Sequence, residues 1–100
     1  MDTQQGEPAT YELHPRYDTR ASFYGKARIE INEDGTKRLW SYDTHVASIK
    51  GGKPMVFDTY SVTTLRHIKE FLKQNGFKAD NSKQIIADYG EGAPIHQEVK

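Results

Sequence analysis

From Lys26 to Tyr60 two turn dipeptides, Asp34-Gly35 and Gly51-Gly52, cut the chain into strand-length runs, and from Ser61 the hydrophobic period changes from two to about 3.6 residues. That change fixes the class. A meander of antiparallel strands comes first and helices follow, which predicts an α+β fold with one sheet face packed on the main helix. In KARIEIN, Ala27, Ile29 and Ile31 alternate with Lys26, Arg28 and Glu30, the pattern of a strand with one wet face. KRLWSY is rich in strand formers, Asp43 marks a bend, and THVASIK and KPMVFDTY form a pair across Gly51-Gly52. A two-residue loop there sets Ala47 opposite Val56 and Val46 opposite Phe57. The first hairpin leaves its register open. A two-residue Asp-Gly loop puts Trp40 beside Ile29, and a three-residue loop puts Leu39 there.

In SVTTLRHIKEFLKQNG, Val62, Leu65, Ile68 and Leu72 form an apolar stripe with Phe71 beside it. Ser61 or Thr63 can cap the start, and Gly76 after Asn75 is the expected stop. Asn81 or Ser82 can cap a second, short helix, SKQIIADY, buried through Ile85, Ile86 and Tyr89. The expected architecture is a three- to four-stranded antiparallel β-meander packed against a main C-terminal helix, followed by a short second helix. Residues 1–10 are polar, with Gly6 and Pro8, and residues 90–100 are similar. Both are expected to be flexible tails around one domain at 11–89.

The chain has 100 residues and no cysteine, so disulfides, thiolate metal sites and a cysteine nucleophile are excluded. The start MDTQQGEPAT lacks the pattern of a secretory signal, and no apolar run is long enough to span a bilayer, so the expected location is the cytoplasm of a bacterial cell. Fourteen basic side chains balance fourteen acidic ones. A dedicated duplex-DNA binder is usually more basic, because phosphate neutralisation supplies most of its affinity. The balance is nevertheless local. Residues 61–78 carry Arg66, Lys69, Lys73 and Lys78 against Glu70 alone.

Phosphate-loop, nucleophile-elbow and H-E-x-x-H motifs are absent, and no enzyme, cofactor or metal is expected. No two histidines are spaced as a helical i, i+4 metal pair. A site from His45, Asp58 and His67 can be drawn, but surface or capping roles explain these residues as well. Two stretches are candidate binding surfaces. YELHPRYDTRASFYGKA sets Tyr17 and Tyr24 among Arg16, Arg20 and Lys26, the residue types of interface hot spots and of platforms for stacked bases. Its structural alternative is an arm that closes the core through Tyr11, Tyr17 and Phe23, with its arginines paired to Asp18 or Glu12. On the helix, Arg66, Lys69 and Lys73 form either a solvated face, with Glu70 pairing to Arg66, or a ridge facing an acidic partner.

The segments YELHPRYDTRASFYGKA, LWSYDTHVA and YSVTTLRHIKEFLKQNGFKA resemble a family of short phage and mobile-element proteins of unknown function, found in phages and prophages of Gram-positive bacteria. The resemblance covers roughly residues 11–89. It implies a phage origin and cytosolic action and transfers no functional residue. The function expected is therefore a small non-enzymatic inhibitor or modulator of a host protein or nucleoprotein complex, such as a defence nuclease of the CRISPR type. The alternative is a nucleic-acid-binding accessory protein that uses the sheet, the basic helix and the Arg/Tyr-rich arm.

Overall fold

The computed structural model describes residues 9–57 and 61–90. Five strands form one antiparallel sheet in chain order: β1 Ala9–Glu12, β2 Ala27–Ile31, β3 Lys37–Ser41, β4 Thr44–Lys50 and β5 Lys53–Val56. Two helices follow, α1 Val62–Gln74 and α2 Ser82–Tyr89. The fold is α+β as the sequence predicts, with one strand more than the three or four expected. The extra strand is β1, whose Ala9–Glu12 pair with Arg28–Ile31. It starts two residues before the expected domain boundary at 11. At the other end, Gly90 makes a parallel bridge to Val56. The remainder of the two expected tails, residues 1–8 and 91–100, lies outside the described residues, as do Asp58 and the rest of 58–60.

The first hairpin takes the three-residue option. Ile29 stands opposite Leu39, Asn32 N–H donates to Thr36 O at 2.9 Å, and Gly35 occupies the left-handed region at φ 88°. That position is why a glycine is needed there. Gly51 and Gly52 both have positive φ, 59° and 77°, as a tight two-residue hairpin requires, and Ala47 pairs with Val56 as expected. Between β3 and β4 the register shifts: Leu39 faces Ala47 but Trp40 faces His45. Val46 is the extra residue of a bulge, so Val46 and Ala47 in succession are both buried.

Ser61 caps α1 by accepting the N–H of Thr64 at 3.1 Å, which settles the choice between Ser61 and Thr63. At the far end Gly76 N–H donates to Lys73 O and Phe77 N–H to Leu72 O, the paired bonds of a Schellman stop. Ile68, Phe71 and Leu72 are buried as expected, with Leu65 partly buried against the core, but Thr64 and His67 join them and Val62 is 73% exposed. Val62 sits in the first turn, on the far side from Ile68, so the seam runs through Thr64 and His67 instead. Asn81 caps α2, and Ile85 alone of its residues is fully buried. Ile86, expected in the core, is exposed, and Tyr89 is half-buried against Phe77. The core joins Leu13, Phe23, Ile29, Leu39, Val46, Val56, Ile68, Phe71, Leu72 and Ile85 in one cluster between one sheet face and the helices. Among the described residues no helix is long and apolar enough to cross a membrane.

Candidate functional site

Between β1 and β2 the chain runs as an irregular arm, residues 13–26, and α1 holds it in place. Glu70 is 1% exposed. Its carboxylate accepts the N–H groups of Arg16 at 2.7 Å, Tyr17 at 3.0 Å and Asp18 at 3.1 Å, together with the side-chain amide of Gln74 at 2.6 Å. Three consecutive backbone donors converging on one carboxylate make an anion nest. They compensate a burial that would otherwise be costly. The same bonds satisfy donors of an arm that has no ladder partner there. Gln74 also donates to His14 O at 2.7 Å, Leu13 N–H to Ala27 O at 2.8 Å, and Leu13 and Phe23 are buried as apolar plugs.

The clamp produces an open pocket of about 210 Å³ lined by Tyr17, Asp18, Thr19, Arg66, Lys69, Glu70 and Lys73. Asp18 accepts Arg66 Nη1 at 3.0 Å and the N–H of Arg20 at 2.9 Å. Burial opposes its charge, but the Arg20 N–H and the Arg66 guanidinium outweigh that and hold the carboxyl below its usual range. Arg66 therefore pairs with Asp18, not with Glu70 as i, i+4 spacing suggests. Neither Lys69 nor Lys73 is ion-paired with any described residue. Tyr17 lines the same pocket, 59% exposed.

Of the eight residues predicted to bind, Tyr17, Arg66, Lys69 and Lys73 meet at this pocket. Arg16 joins through its backbone N–H. Arg20 is exposed on the arm beside Asp18. Tyr24 and Lys26 lie elsewhere, at the sheet end. Tyr24 is 75% exposed at φ 57° in a turn closed by Lys26 N–H to Phe23 O, and Lys26 Nζ sits 5.6 Å over the ring of Tyr42. The structural alternative for the arm holds for Phe23 only, since Tyr11 and Tyr17 are exposed. Glu12 accepts Gly25 N–H rather than an arginine. The arm, residues 13–26, and α1, the segments joined by Glu70, carry six Lys/Arg (Arg16, Arg20, Lys26, Arg66, Lys69, Lys73) against two acids (Asp18, Glu70) in a chain of zero net charge. Asp18, Thr19 and the clamping role of Glu70 are not read from sequence. The available signal was Glu70's isolation as the sole acid in a basic helix.

A second polar group is buried beside α1. Ser41 Oγ lies 2.8 Å from His67 Nδ1 and 3.0 Å from Thr64 Oγ1. Burial pushes His67 down to about 4, so the ring is neutral at neutral pH, and Phe23 packs edge-on to it at 4.7 Å. His45 lies on the other face of the sheet, stacked on Trp40. The site drawn from His45, Asp58 and His67 is therefore not assembled, because the sheet separates the two imidazoles. Among the described residues no group of three or more His, Asp or Glu side chains is placed to hold a metal.

A search of protein families matches residues 11–88. The chain belongs to DUF8033, a family of unknown function. The match spans β2–β5, both helices and the whole arm, so the Glu70 clamp and its pocket fall within the DUF8033 region. No curated protein and no solved structure matches the chain.

Proposed function

We propose that this DUF8033 chain is a small non-enzymatic, phage-type binding protein that inhibits or modulates a host macromolecular complex, such as a defence nuclease of the CRISPR type, in the bacterial cytoplasm. Its contact surface is the ridge of Tyr17, Lys69 and Lys73. The carrying observation is the Glu70 clamp. It spends a buried carboxylate on three arm amides, and the result is an exposed tyrosine, its backbone held, lining one pocket with two lysines that are ion-paired with no described acid. An exposed aromatic on an anchored backbone, in one pocket with cations, is the composition of a hot spot for an acidic partner surface. The phage origin rests on the resemblance of the three quoted segments. The non-enzymatic reading is supported by the one Ser–His pair of nucleophile–base spacing among the described residues, Ser41–His67. Both residues are buried, and the hydroxyl is also engaged by Thr64.

The excess of cations on the arm and α1 favours a second reading, in which the acidic partner is nucleic acid. Capture of partners from host lysate by the tagged protein, with and without nuclease, separates the two. A host protein retained after nuclease, and lost with Tyr17→Ala or with Lys69→Ala/Lys73→Ala at unchanged melting temperature, supports the first. Capture that vanishes with nuclease transfers the ridge to nucleic acid. Capture indifferent to all three substitutions ends the assignment of the ridge.

A further inference from the structure

The sheet face turned away from the helices carries its own chemistry. Alternation sends Ala27, Ile29, Leu39, Ala47 and Val56 into the core and leaves their neighbours on the opposite face. The bulge at Val46 puts His45 among them, directly opposite Trp40. The rings of Trp40 and His45 stack at 5.2 Å with 29° between their planes, and Phe57 meets His45 edge-on at 4.9 Å. Three aromatic rings thus pack against one another across neighbouring strands, half-buried, on the sheet face opposite the one that packs the core against the helices.

Cations frame this row. Arg28 is the cross-strand partner of Trp40, Arg38 precedes Trp40 by two residues on the same face, and Lys50 faces Lys53 beyond. Among the described residues the acids here are engaged, Asp43 by Arg28 at 3.8 Å. Glu30 accepts the Trp40 indole N–H at 3.1 Å and lies 3.9 Å from Arg38, and Glu12 accepts the Gly25 N–H. An aromatic row bordered by positive charge, with no unengaged carboxylate inside it among the described residues, complements a ligand that alternates flat rings with phosphates.

We propose that this open face binds single-stranded nucleic acid, with bases packing on the ring surface that the Trp40–His45–Phe57 cluster leaves open to solvent and phosphates held by Arg38, Lys50 and Lys53. A duplex keeps its bases stacked on one another and offers only their edges, which ring faces do not read, whereas unpaired bases can be splayed onto a sheet. The surface is separate from the Tyr17–Lys69–Lys73 ridge and does not depend on its assignment.

Trp40 is the only tryptophan, so its fluorescence reports this face alone. The full chain is titrated with oligothymidylate and oligouridylate of about ten nucleotides, within the site size of a small stacking domain. The expected result is saturable quenching, with affinity falling about tenfold or more between roughly 50 and 200 mM salt. Arg38→Ala and Phe57→Ala should each weaken binding about tenfold, with Arg38→Ala serving alone if Phe57→Ala unfolds. Lys69→Ala/Lys73→Ala should leave the quenching intact. The inference is overturned if neither oligonucleotide quenches, if duplex DNA or polyglutamate quenches equally, or if the ridge variant abolishes quenching while Arg38→Ala does not.

Discussion

Glu70 and His67 sit three residues apart on α1, both 1% exposed, and their surroundings treat them in opposite ways. Around Glu70 the neighbours are donors: three arm amides and the Gln74 side chain. Around His67 they are the Ser41 hydroxyl and the rings of Phe23 and Tyr42, and the charge of Asp18, which favours the imidazolium, is outweighed by burial. The carboxylate organises a foreign segment of chain, while the imidazole gives up its proton and serves as a neutral hydrogen-bonding core residue. Burial alone does not decide what a titratable group does. The number and sign of the dipoles aimed at it decide.

The largest effect expected from breaking this contrast is at Glu70. Glu70→Ala orphans three amides at once and should cost about 3–5 kcal/mol. The amides of Arg16, Tyr17 and Asp18 should lose hydrogen-exchange protection well before the sheet does. Equal loss of protection everywhere would mean that the arm is not a separately clamped unit. Glu70→Gln keeps an acceptor oxygen but turns an amide toward the donors, and should recover less than half of the loss.

The next effect concerns His67. Its folded value of about 4 lies below the ordinary 6.5, so its contribution is fully present above pH 6.5 and drains away as pH falls toward 4. The total lost by then is about 3 kcal/mol. Asp18, also depressed, adds a loss in the same direction in the acid range below its ordinary 3.8. Urea midpoints at pH 7 and 4.5 measure the first window, and His67→Leu should flatten it while leaving the acid limb. A pH profile unchanged by that substitution would place the titration elsewhere.

The smallest effect sharpens the comparison at two tyrosines. Tyr24 and Tyr42 share a φ of 57°, a left-handed backbone that a bulky side chain adopts at a cost of about 1–2 kcal/mol. Tyr42 is tied in through its ring on His67 and beneath Lys26, whereas Tyr24 is largely exposed. Tyr24→Asn should therefore raise stability by roughly 0.5–1 kcal/mol, and Tyr42→Asn should gain nothing. Thermal unfolding of the two variants distinguishes them, and equal shifts would remove the contrast.

Local chemistry made much of the fold readable. The wet-faced strand Ala27–Ile31, the Gly51-Gly52 register, the Ser61 and Asn81 caps and the Gly76 stop each depend on residues a few positions apart. What escaped depended on distant partners or on parity. Ala9–Glu12 is too exposed to alternate and becomes a strand only because β2 has a free edge. The side of Trp40 hung on one residue of turn length. Val62 fitted the apolar period but lies beyond the reach of the sheet. At the candidate site, aromatic and cationic composition pointed to Tyr17, Arg66, Lys69 and Lys73, yet their convergence needs a carboxylate 53 residues from Tyr17. Local periodicity carries no signal for such a contact.

The bulge at Val46 has a consequence for how this chain tolerates changes in length. Elsewhere inside β4, removing one residue inverts a portion of the strand and sends core side chains to water. At Val46 the sheet already holds one residue more than its partner strand matches, so a deletion there restores regular pairing and leaves His45 beside Trp40 and Ala47 beside Leu39. The penalty is the cavity left by a single valine. The strand therefore contains one position at which a deletion is nearly silent for which side chain faces which way across β3, and it lies between the aromatic row and the core.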